Sequence, residues 1–319
     1  MARLHKLAVI LVATLALLGA SVGTAAAQAS PVAVLQPTGV STPPAGPPQP
    51  DILSAGLWSV LHPEASPPGA NDYSCKPTTG HPRPVVLVHG TFGNAYDSWA
   101  ELAPQLKADG YCVFALKYGG APGFPFQGYG DIPTSAAQLG VFIDAVRAAT
   151  GASTVDLVGH SQGGTMPRYY LQALGGAPKV HQLIGLSPSN YGTEFFGILP
   201  ALLRTPFGAQ AFGTYCPACV QQQSGSAFLN SLNAGGDTVP GVQYTVIQTR
   251  FDDVVTPYAN SFLKGAGATN ITVQDVCGQD FTDHIGIPYD PITQRLIRNA
   301  LDPAAAVAPT CVFVPPVIS

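Results

Sequence analysis

The stretch Thr154-Val-Asp-Leu-Val-Gly-His-Ser-Gln-Gly-Gly164 decides the fold of this chain. Its apolar run at 155–158 predicts a buried strand, and a helix can begin directly after Gly163. Between the two lies Gly159-His160-Ser161-Gln162-Gly163, a G-x-S-x-G pattern. Strand and helix backbones pass close on both sides of so sharp a turn, so a Cβ at position 159 or 163 would collide with them. We therefore interpret Ser161 as a nucleophile held at the tip of a strained strand–turn–helix elbow.

Further apolar runs place this elbow in a sheet that alternates with helices. Strands are predicted at 84–89, 112–116, 180–186, 242–248 and 271–276. One helix follows the first strand, with Trp99, Leu102 and Leu106 on one face and Gly110 as its stop, and another spans 135–150. Strands and helices that alternate in this way form βαβ units. The sequence thus predicts an α/β-hydrolase fold, with a mostly parallel central sheet and helices on both faces.

The bulk composition narrows the class of protein. The 319 residues are 46% hydrophobic and 10% charged, which favours one large globular domain with a sizeable core. With only 14 Lys and Arg residues and a net charge of −4, the chain does not offer a surface for nucleic acid or an anionic membrane.

The N-terminus has the pattern of an export signal. Arg3 and Lys6 precede an apolar run at 7–20, and Ala25-Ala26-Ala27 supplies an A-x-A cleavage site, so 1–27 is interpreted as a secretory signal peptide. A retained transmembrane anchor is the alternative, but the apolar run is short. Prolines crowd 28–50, which predicts a flexible leader, and 51–319 is assigned to the catalytic domain, beginning with a short amphipathic helix at 51–61. We expect an extracellular monomer without a stable membrane anchor after cleavage.

A serine nucleophile needs a general base, and the base needs a group that orients it. Two histidines follow Ser161, and His181 precedes a strand, so it belongs to the N-terminal edge of the sheet. His284 lies in a loop after the last predicted strand and is our candidate base.

The acid is predicted just past the strand at 242–248, at the carboxyl end of the sheet. Asp252 and Asp253 are both candidates there, and spacing alone does not separate them; we prefer Asp252 and expect Asp253 to be a turn or capping residue. Asp283 is a weaker rival, because neighbouring residues seldom point at one another.

Backbone amides should hold the oxyanion. One is expected from Gln162, directly after the nucleophile, and one from Thr91, in the loop that Gly90 allows to turn tightly. The Thr91 hydroxyl is a candidate third donor. His89 is interpreted as a structural residue that pins this loop.

Six cysteines in an exported chain suggest three disulfides. Cys75 and Cys112 flank the first strand–helix unit, while Cys277 and Cys311 could tie the C-terminal tail to the last strand. Cys216-Pro-Ala-Cys219 would then close a small local ring. Redox chemistry or half of a zinc site is the alternative for this C-x-x-C pair.

Four separated motifs resemble the secreted actinobacterial class 2 lipases. They are Pro67-Pro-Gly-Ala-Asn-Asp-Tyr-Ser-Cys75, Arg83-Pro-Val-Val-Leu-Val-His-Gly-Thr-Phe-Gly-Asn94, Gly159-His-Ser-Gln-Gly-Gly164 and Asp252-Asp-Val-Val-Thr-Pro257. A more distant resemblance, to yeast lipase B, rests on Gly90-Thr91, Ser161-Gln-Gly163 and Asp283-His284. The chain departs from the yeast enzyme at His160, which we interpret as a spacer.

The resemblance implies more than the residues alone do. It places Asp252 at the acid position and implies the pairings Cys75–Cys112 and Cys277–Cys311. It also implies hydrolysis of triacylglycerol or other carboxylic esters without a required cofactor. From the residues themselves we assign no metal site.

An insertion at about 187–240 follows a strand's carboxyl end and should overhang Ser161 as a cap. Its apolar residues are candidates for an acyl pocket or a mobile lid, namely Phe195, Phe196, Ile198, Leu199 and Leu202, with Phe207 and Phe212 further along. A helix merely packed on the sheet is the alternative.

We therefore predict a secreted triacylglycerol lipase with a lipid or ester substrate, acting at an oil–water interface. The alternatives are a short-chain esterase, a polyester or cutin hydrolase, an exported acyltransferase and, from another class, a non-catalytic surface-binding protein.

Overall fold

Six strands form one sheet in the computed structural model, which describes residues 43–194, 201 and 205–317. They are β1 (Val85–Val88), β2 (Val113–Leu116), β3 (Val155–His160), β4 (Val180–Leu186), β5 (Gln243–Gln248) and β6 (Ala268–Thr272). Every neighbouring pair is parallel, in the order β2-β1-β3-β4-β5-β6. The predicted parallel sheet is confirmed, and β3 carries Ser161 to an interior position along its carboxyl edge.

Helices cover both faces of this sheet. The described helices are α1 (Ile52–Leu61), α2 (Ala95–Trp99), α3 (Leu102–Ala108), α4 (Ile132–Thr150), α5 (Gln162–Ala173), α6 (Pro206–Tyr215), α7 (Pro217–Gln221), α8 (Ala227–Ala234), α9 (Val273–Val276) and α10 (Pro291–Leu301). Side chains alternate along β1, so Val86 packs with α4 and α5 while Leu87 packs with α2, α3 and α10. All four residues of β1 are buried, as expected for a parallel strand with helices on both sides.

The helix predicted at 51–61 is present as α1, and it packs through two small residues and the partly buried Trp58, whose ring lies 4.4 Å from that of Tyr96. Ala55 and Ser59 are buried, whereas Leu57 and Leu61 are each 73% exposed. The leader also ends earlier than its prolines predict, because part of 43–50 contacts the domain. Gly46 N donates to Ser66 O at 2.9 Å, and Pro47 O accepts from the Tyr96 hydroxyl at 2.7 Å. Residues 1–42, with the predicted signal peptide, lie outside the described residues.

The strand predicted at 271–276 is wrong in its bounds. β6 ends at Thr272, opposite the last residue of β5, and the chain then turns into α9. Beyond Gln248 the sheet offers no ladder partner, and the side chain of Gln274 bonds to the β5 loop instead. It accepts from Arg250 N at 2.7 Å and donates to Thr249 Oγ1 at 3.0 Å. The alternation of apolar residues continues past residue 272, but β5 ends at Gln248 and leaves no strand for residues after 272 to pair with.

The insertion between β4 and β5 contains α6, α7 and α8, and it is anchored on α5 by a buried arginine. Arg168 is fully buried, and its guanidinium donates to Asn233 Oδ1 at 2.9 Å and to Asp237 O at 3.2 Å. Its Nη2 also lies 3.5 Å from the Asp237 carboxylate. The described part of the insertion is thus fixed to the helix that begins after Ser161.

Three disulfides tie loops to this framework. Cys75 pairs with Cys112, Cys277 with Cys311 and Cys216 with Cys219, which confirms the predicted pairings. The Cys216–Cys219 ring lies at the start of α7, within the insertion. Among the described residues, no helix combines the length and apolarity that a membrane crossing needs.

Candidate active site

Ser161 occupies a strained turn between β3 and α5. Its φ is +55°, a region that residues with a Cβ seldom adopt. The two elbow glycines are required sterically: a Cβ on Gly159 would lie 1.9 Å from Gly163 O, and one on Gly163 would lie 2.1 Å from Val88 O. The turn therefore has the geometry that the G-x-S-x-G pattern predicts.

His284 is held by Asp252 in a buried pair. Nδ1 of the imidazole lies 2.9 Å from Asp252 Oδ2, and the two side chains are 3% and 0% exposed. The carboxylate is fixed from its other side, because Oδ1 accepts from Val254 N at 3.0 Å and Val255 N at 2.6 Å. A carboxylate accepts only, so His284 Nδ1 carries the hydrogen and Nε2 presents a lone pair.

Opposing effects set the pKa of His284. Burial lowers it, but the charge and hydrogen bond of Asp252, helped by the charges of Asp253 and Asp283, outweigh burial and raise the pKa above 6.5. An imidazolium that forms at this position is therefore stabilised, as expected of a group that accepts and returns a proton.

The two rival carboxylates have other surroundings. Asp283 accepts from Gly286 N at 2.8 Å and from Val317 N at 2.7 Å, so it braces the loop and the C-terminal tail. Asp253 is half-buried, and burial together with the charge of Asp283 raises its pKa to about 6. Asp253 lies in the bend after β5, in line with a turn or capping residue, while the amides of Val254 and Val255 donate to Asp252 itself.

His160 is more than the spacer that the sequence suggests. Its Nε2 lies 2.9 Å from the backbone oxygen of His284, to which it donates, and the two rings are 4.8 Å apart. Burial, followed by the nearby positive charge of His284, keeps the pKa of His160 well below 6.5. His160, which is neutral and directly precedes Ser161, thus holds the loop that carries His284 close to the nucleophile elbow. The sequence contains only one indication of this contact, namely a histidine at position 160, where the G-x-S-x-G motif allows any residue.

The loop after β1 approaches Ser161 closely. A Cβ on Gly90 would lie 3.0 Å from the Ser161 Cβ, so glycine allows this approach without a shift of Ser161. His89 is buried and neutral, since burial lowers its pKa to about 4, and its Nδ1 lies 2.8 Å from Gly90 O. This agrees with the interpretation of His89 as a loop pin. Phe92 N and Gly93 N donate to carbonyl oxygens of this region, Gln127 O and Gly90 O.

The Thr91 hydroxyl is already engaged. It donates its single hydrogen to Gln162 Oε1 at 2.7 Å and accepts from Gln222 Nε2 at 2.8 Å. To serve as the predicted third oxyanion donor, it would have to leave Gln162. Gln222, in the insertion, is a residue that sequence reasoning missed.

Two predicted positions lie away from this cluster. His181 Nδ1 is 2.9 Å from Asp156 Oδ1 near the amino end of the sheet, as expected for a residue at the start of β4. Phe207 is 77% exposed on α6. The predicted acyl-pocket residues Phe195, Phe196, Ile198, Leu199 and Leu202 lie outside the described residues.

Within the described ranges, no group of three or more His, Cys, Asp or Glu residues is arranged to hold a metal ion.

Known structures share this architecture. Lipase B from Aspergillus fumigatus superposes with a TM-score of 0.59 and 23% identity, over 77% of this chain and 57% of that one. The mature form of Bacillus licheniformis lipase BlEst2 gives a TM-score of 0.52 and 20% identity, over 70% and 94%. The fold is that of the α/β-hydrolases.

Sequence comparison identifies the family. The model of the class 2 lipases matches residues 82–287, and this chain belongs to that family. A triacylglycerol lipase of Pseudarthrobacter phenanthrenivorans is 33% identical over 128 residues, which span 38% of each chain. Lipase B of Pseudozyma antarctica is 28% identical over 229 residues, 69% of this chain and 61% of the relative. The matched segments thus cover less than two thirds of the length of these relatives.

Proposed function

We propose that this protein is an exported serine hydrolase that cleaves carboxylic esters of fatty acids, with triacylglycerol as its substrate class. The observation that carries the proposal is the buried 2.9 Å contact between His284 Nδ1 and Asp252 Oδ2, beside the elbow of Ser161. Two kinds of support add to it: membership of the class 2 lipase family and the similarity to relatives named as triacylglycerol lipases.

The proposed reaction is a two-step acyl transfer. His284 Nε2 takes the hydroxyl proton as Ser161 Oγ attacks the ester carbonyl, and Asp252 stabilises the imidazolium that results. The imidazolium then gives its proton to the departing alcohol, which leaves an acyl-enzyme. Water, deprotonated by His284, attacks the acyl carbon, and the fatty acid leaves as the proton returns to Ser161 Oγ.

The oxyanion of each tetrahedral intermediate is assigned to two backbone amides. Gln162 is the first residue of α5, so its N–H is one of the donors that a helix leaves without an internal partner. In the β1 loop the amides of Phe92 and Gly93 already donate to carbonyl oxygens, and we assign the Thr91 amide to the oxyanion. Donors fixed before the reaction act without reorganisation, and each is worth about 10²–10³ in rate.

Export and substrate class remain part of this proposal. Three disulfides fit an oxidising compartment, in agreement with the A-x-A pattern at 25–27. A role for Phe195, Phe196, Ile198, Leu199 and Leu202 in binding the acyl chain stays a prediction.

The test is hydrolysis of an ester series from acetyl to palmitoyl, together with a triglyceride emulsion, by the chain beginning at Gln28. Turnover of long chains and emulsion that Ser161→Ala abolishes supports the lipase. Activity confined to short soluble esters makes the protein an esterase, and acyl transfer to an added alcohol in preference to water makes it an acyltransferase. Monomer release from a polyester film without emulsion turnover points to an open-cleft polyester hydrolase.

A double mutant tests whether the proposed residues act as a unit. Ser161→Ala and His284→Ala should each lower kcat by about 10⁶, and the two together should lose little more. Additive losses would contradict the assigned mechanism.

A further inference from the structure

A hydrogen-bond triangle joins the insertion to the loop after β1. Gln222, 6% exposed, donates from Nε2 to Thr91 Oγ1 at 2.8 Å and to Gln162 Oε1 at 3.0 Å. Thr91 Oγ1 closes the triangle by donating to Gln162 Oε1 at 2.7 Å. One side-chain amide therefore contacts both residues whose backbone N–H groups we assign to the oxyanion.

The direction of this amide is fixed by a backbone carbonyl. Gln222 Nε2 lies 3.1 Å from Ala218 O, which can only accept, so the NH₂ group must lie on the side that faces Thr91 and Gln162. Gln222 Oε1 then accepts from Ser189 Oγ at 2.8 Å, and Ser189 Oγ lies 3.2 Å from Thr165 Oγ1 on α5.

The backbone at Gln222 is also held in place. Its N–H donates to Ala218 O at 2.9 Å, and its carbonyl accepts from Thr193 N at 2.9 Å. Residue 222 directly follows α7, whose start is closed by the Cys216–Cys219 disulfide. The donor is therefore presented from a rigid part of the insertion.

We propose that Gln222 is a positioning residue that fixes the Thr91 and Gln162 amides relative to each other. The inference rests on the proposed function, because it assumes that these two amides hold the oxyanion. Thr91 is half-exposed in a tight loop, so without its side-chain bonds the loop could shift. A small displacement of a preorganised donor weakens transition-state binding more than ground-state binding. The insertion thereby takes part in catalysis without touching the reacting atoms.

The chain supplies a matched control in the adjacent residue. Gln221 also anchors the insertion with two hydrogen bonds, from Nε2 to Asp131 Oδ1 at 2.7 Å and from Ile132 N to Oε1 at 2.8 Å. These bonds lead to the start of α4 and do not involve Thr91 or Gln162. Gln222→Met and Gln221→Met therefore remove comparable anchors, but only the first removes the contacts to the two oxyanion residues.

The measurement is kcat and KM for a soluble ester, with melting temperature as the check on folding. Gln222→Met should lower kcat by about 10- to 100-fold and change KM less than about threefold, while Gln221→Met should keep kcat within about threefold. Equal effects of the two variants would overturn the proposal, since Gln222 would then be only an anchor. A rise in KM at unchanged kcat would also overturn it, because Gln222 would then line the substrate pocket.

A second variant covers the case in which Gln222→Met does not fold. Gln222→Glu keeps an oxygen that can accept from Ser189 but replaces the donor group, and it should lose as much kcat. Wild-type kcat in Gln222→Glu would overturn the proposal.

A second readout separates this inference from the proposed function. Phosphonylation of Ser161 by a p-nitrophenyl alkylphosphonate, followed by mass spectrometry, uses the oxyanion donors but needs no particular ester. If no ester is turned over, the proposed substrate class fails; slower phosphonylation of Gln222→Met than of Gln221→Met still supports the positioning role. Equal rates, or no phosphonylation of the wild type, would refute it.

Discussion

Replacing Asp252 by asparagine should move the hydrogen of the neutral His284 ring from Nδ1 to Nε2. The carboxylate uses Oδ1 for the Val254 and Val255 amides and Oδ2 for His284 Nδ1 and Gln248 Nε2. Asparagine has one oxygen for these two sides. A backbone amide can only donate, whereas the Gln248 amide can turn its oxygen toward Asp252 and the imidazole can change its tautomer, so the asparagine oxygen should stay with the two backbone amides. Its NH₂ group then faces His284 Nδ1, which must accept, and the hydrogen moves to Nε2.

An imidazole with its hydrogen on Nε2 cannot take the proton of Ser161. The expected loss in kcat for Asp252→Asn is about 10⁴, or about 5 kcal/mol of transition-state stabilisation, as for the wrong tautomer in Ser-His-Asp enzymes. The adjacent residue, Asp253, provides a matched control, because it is the same residue type but does not make the contact to His284 Nδ1. Asp253→Asn should keep kcat within about fivefold at pH 8, since it leaves the 2.9 Å contact intact.

The control variant Asp253→Asn should have two further effects, one on the pH dependence of activity and one on stability. The negative charge of Asp253 helps to raise the pKa of His284, so its removal should move the acidic limb of kcat/KM to lower pH. Asp253 itself is an acid whose pKa is raised from 3.8 to about 6, so folding loses stability as pH rises through this range. Asp253→Asn should therefore raise the free energy of unfolding at pH 8 by on the order of 1–2 kcal/mol.

The assay is hydrolysis of a p-nitrophenyl ester between about pH 5 and about pH 9, with urea unfolding of each variant. A 10⁴-fold loss in Asp253→Asn with an active Asp252→Asn would refute the assignment of the acid. If Asp252→Asn retained more than about a tenth of wild-type kcat, the tautomer argument itself would fail.

Three other predictions concern the elbow, the insertion and the pH dependence of the wild type. Gly163→Ala should destabilise by about 3 kcal/mol or more because its Cβ would meet a β1 carbonyl oxygen, whereas Gly213→Ala, with open space around it in α6, should be neutral or stabilise by up to about 1 kcal/mol in urea unfolding. Equal effects would contradict the steric account. Arg168→Met should cost about 3–5 kcal/mol by leaving the buried Asp237 carboxylate without its arginine, with the Tyr191 hydroxyl and Lys264 N as its remaining donors, and adding Asp237→Asn should recover part of that loss in thermal melts; no recovery would mean that the charge pair is not the cause. Wild-type kcat/KM should fall on the acidic side with an apparent pKa above 6.5, because His284 must be neutral to act as base, and a limb below 6.5 would disagree with the raised pKa.

Local sequence patterns were enough to predict much of this structure. The collisions that demand glycine at 159 and 163 arise within the elbow or against the adjacent β1, so the G-x-S-x-G pattern and its apolar flank predicted the turn. Continuous apolar runs predicted the parallel strands because such strands are buried on both faces. The order of Ser161, Asp252 and His284 along the chain was sufficient to nominate the candidate residues.

Other features depend on partners far along the chain. Thr272 and Val273 are both compatible with a strand, but only the end of β5 determines where β6 stops. Asp252 and Asp253 are alike in sequence, and the direction of each side chain at the turn brings only Asp252 to His284.

The order of residues along the chain is enough to specify the chemical groups and the local turns that present them. Tertiary structure alone decided which groups meet: His160 reaches His284 across 124 positions, and Gln222 reaches Thr91 across 131. Neither contact leaves a periodicity or a spacing in the chain, because a hydrogen bond between distant residues is set by how the sheet, α5 and the insertion pack. Steric rules act between near neighbours and can be seen in the sequence, whereas the orientation of a buried amide or imidazole follows only from the packed fold.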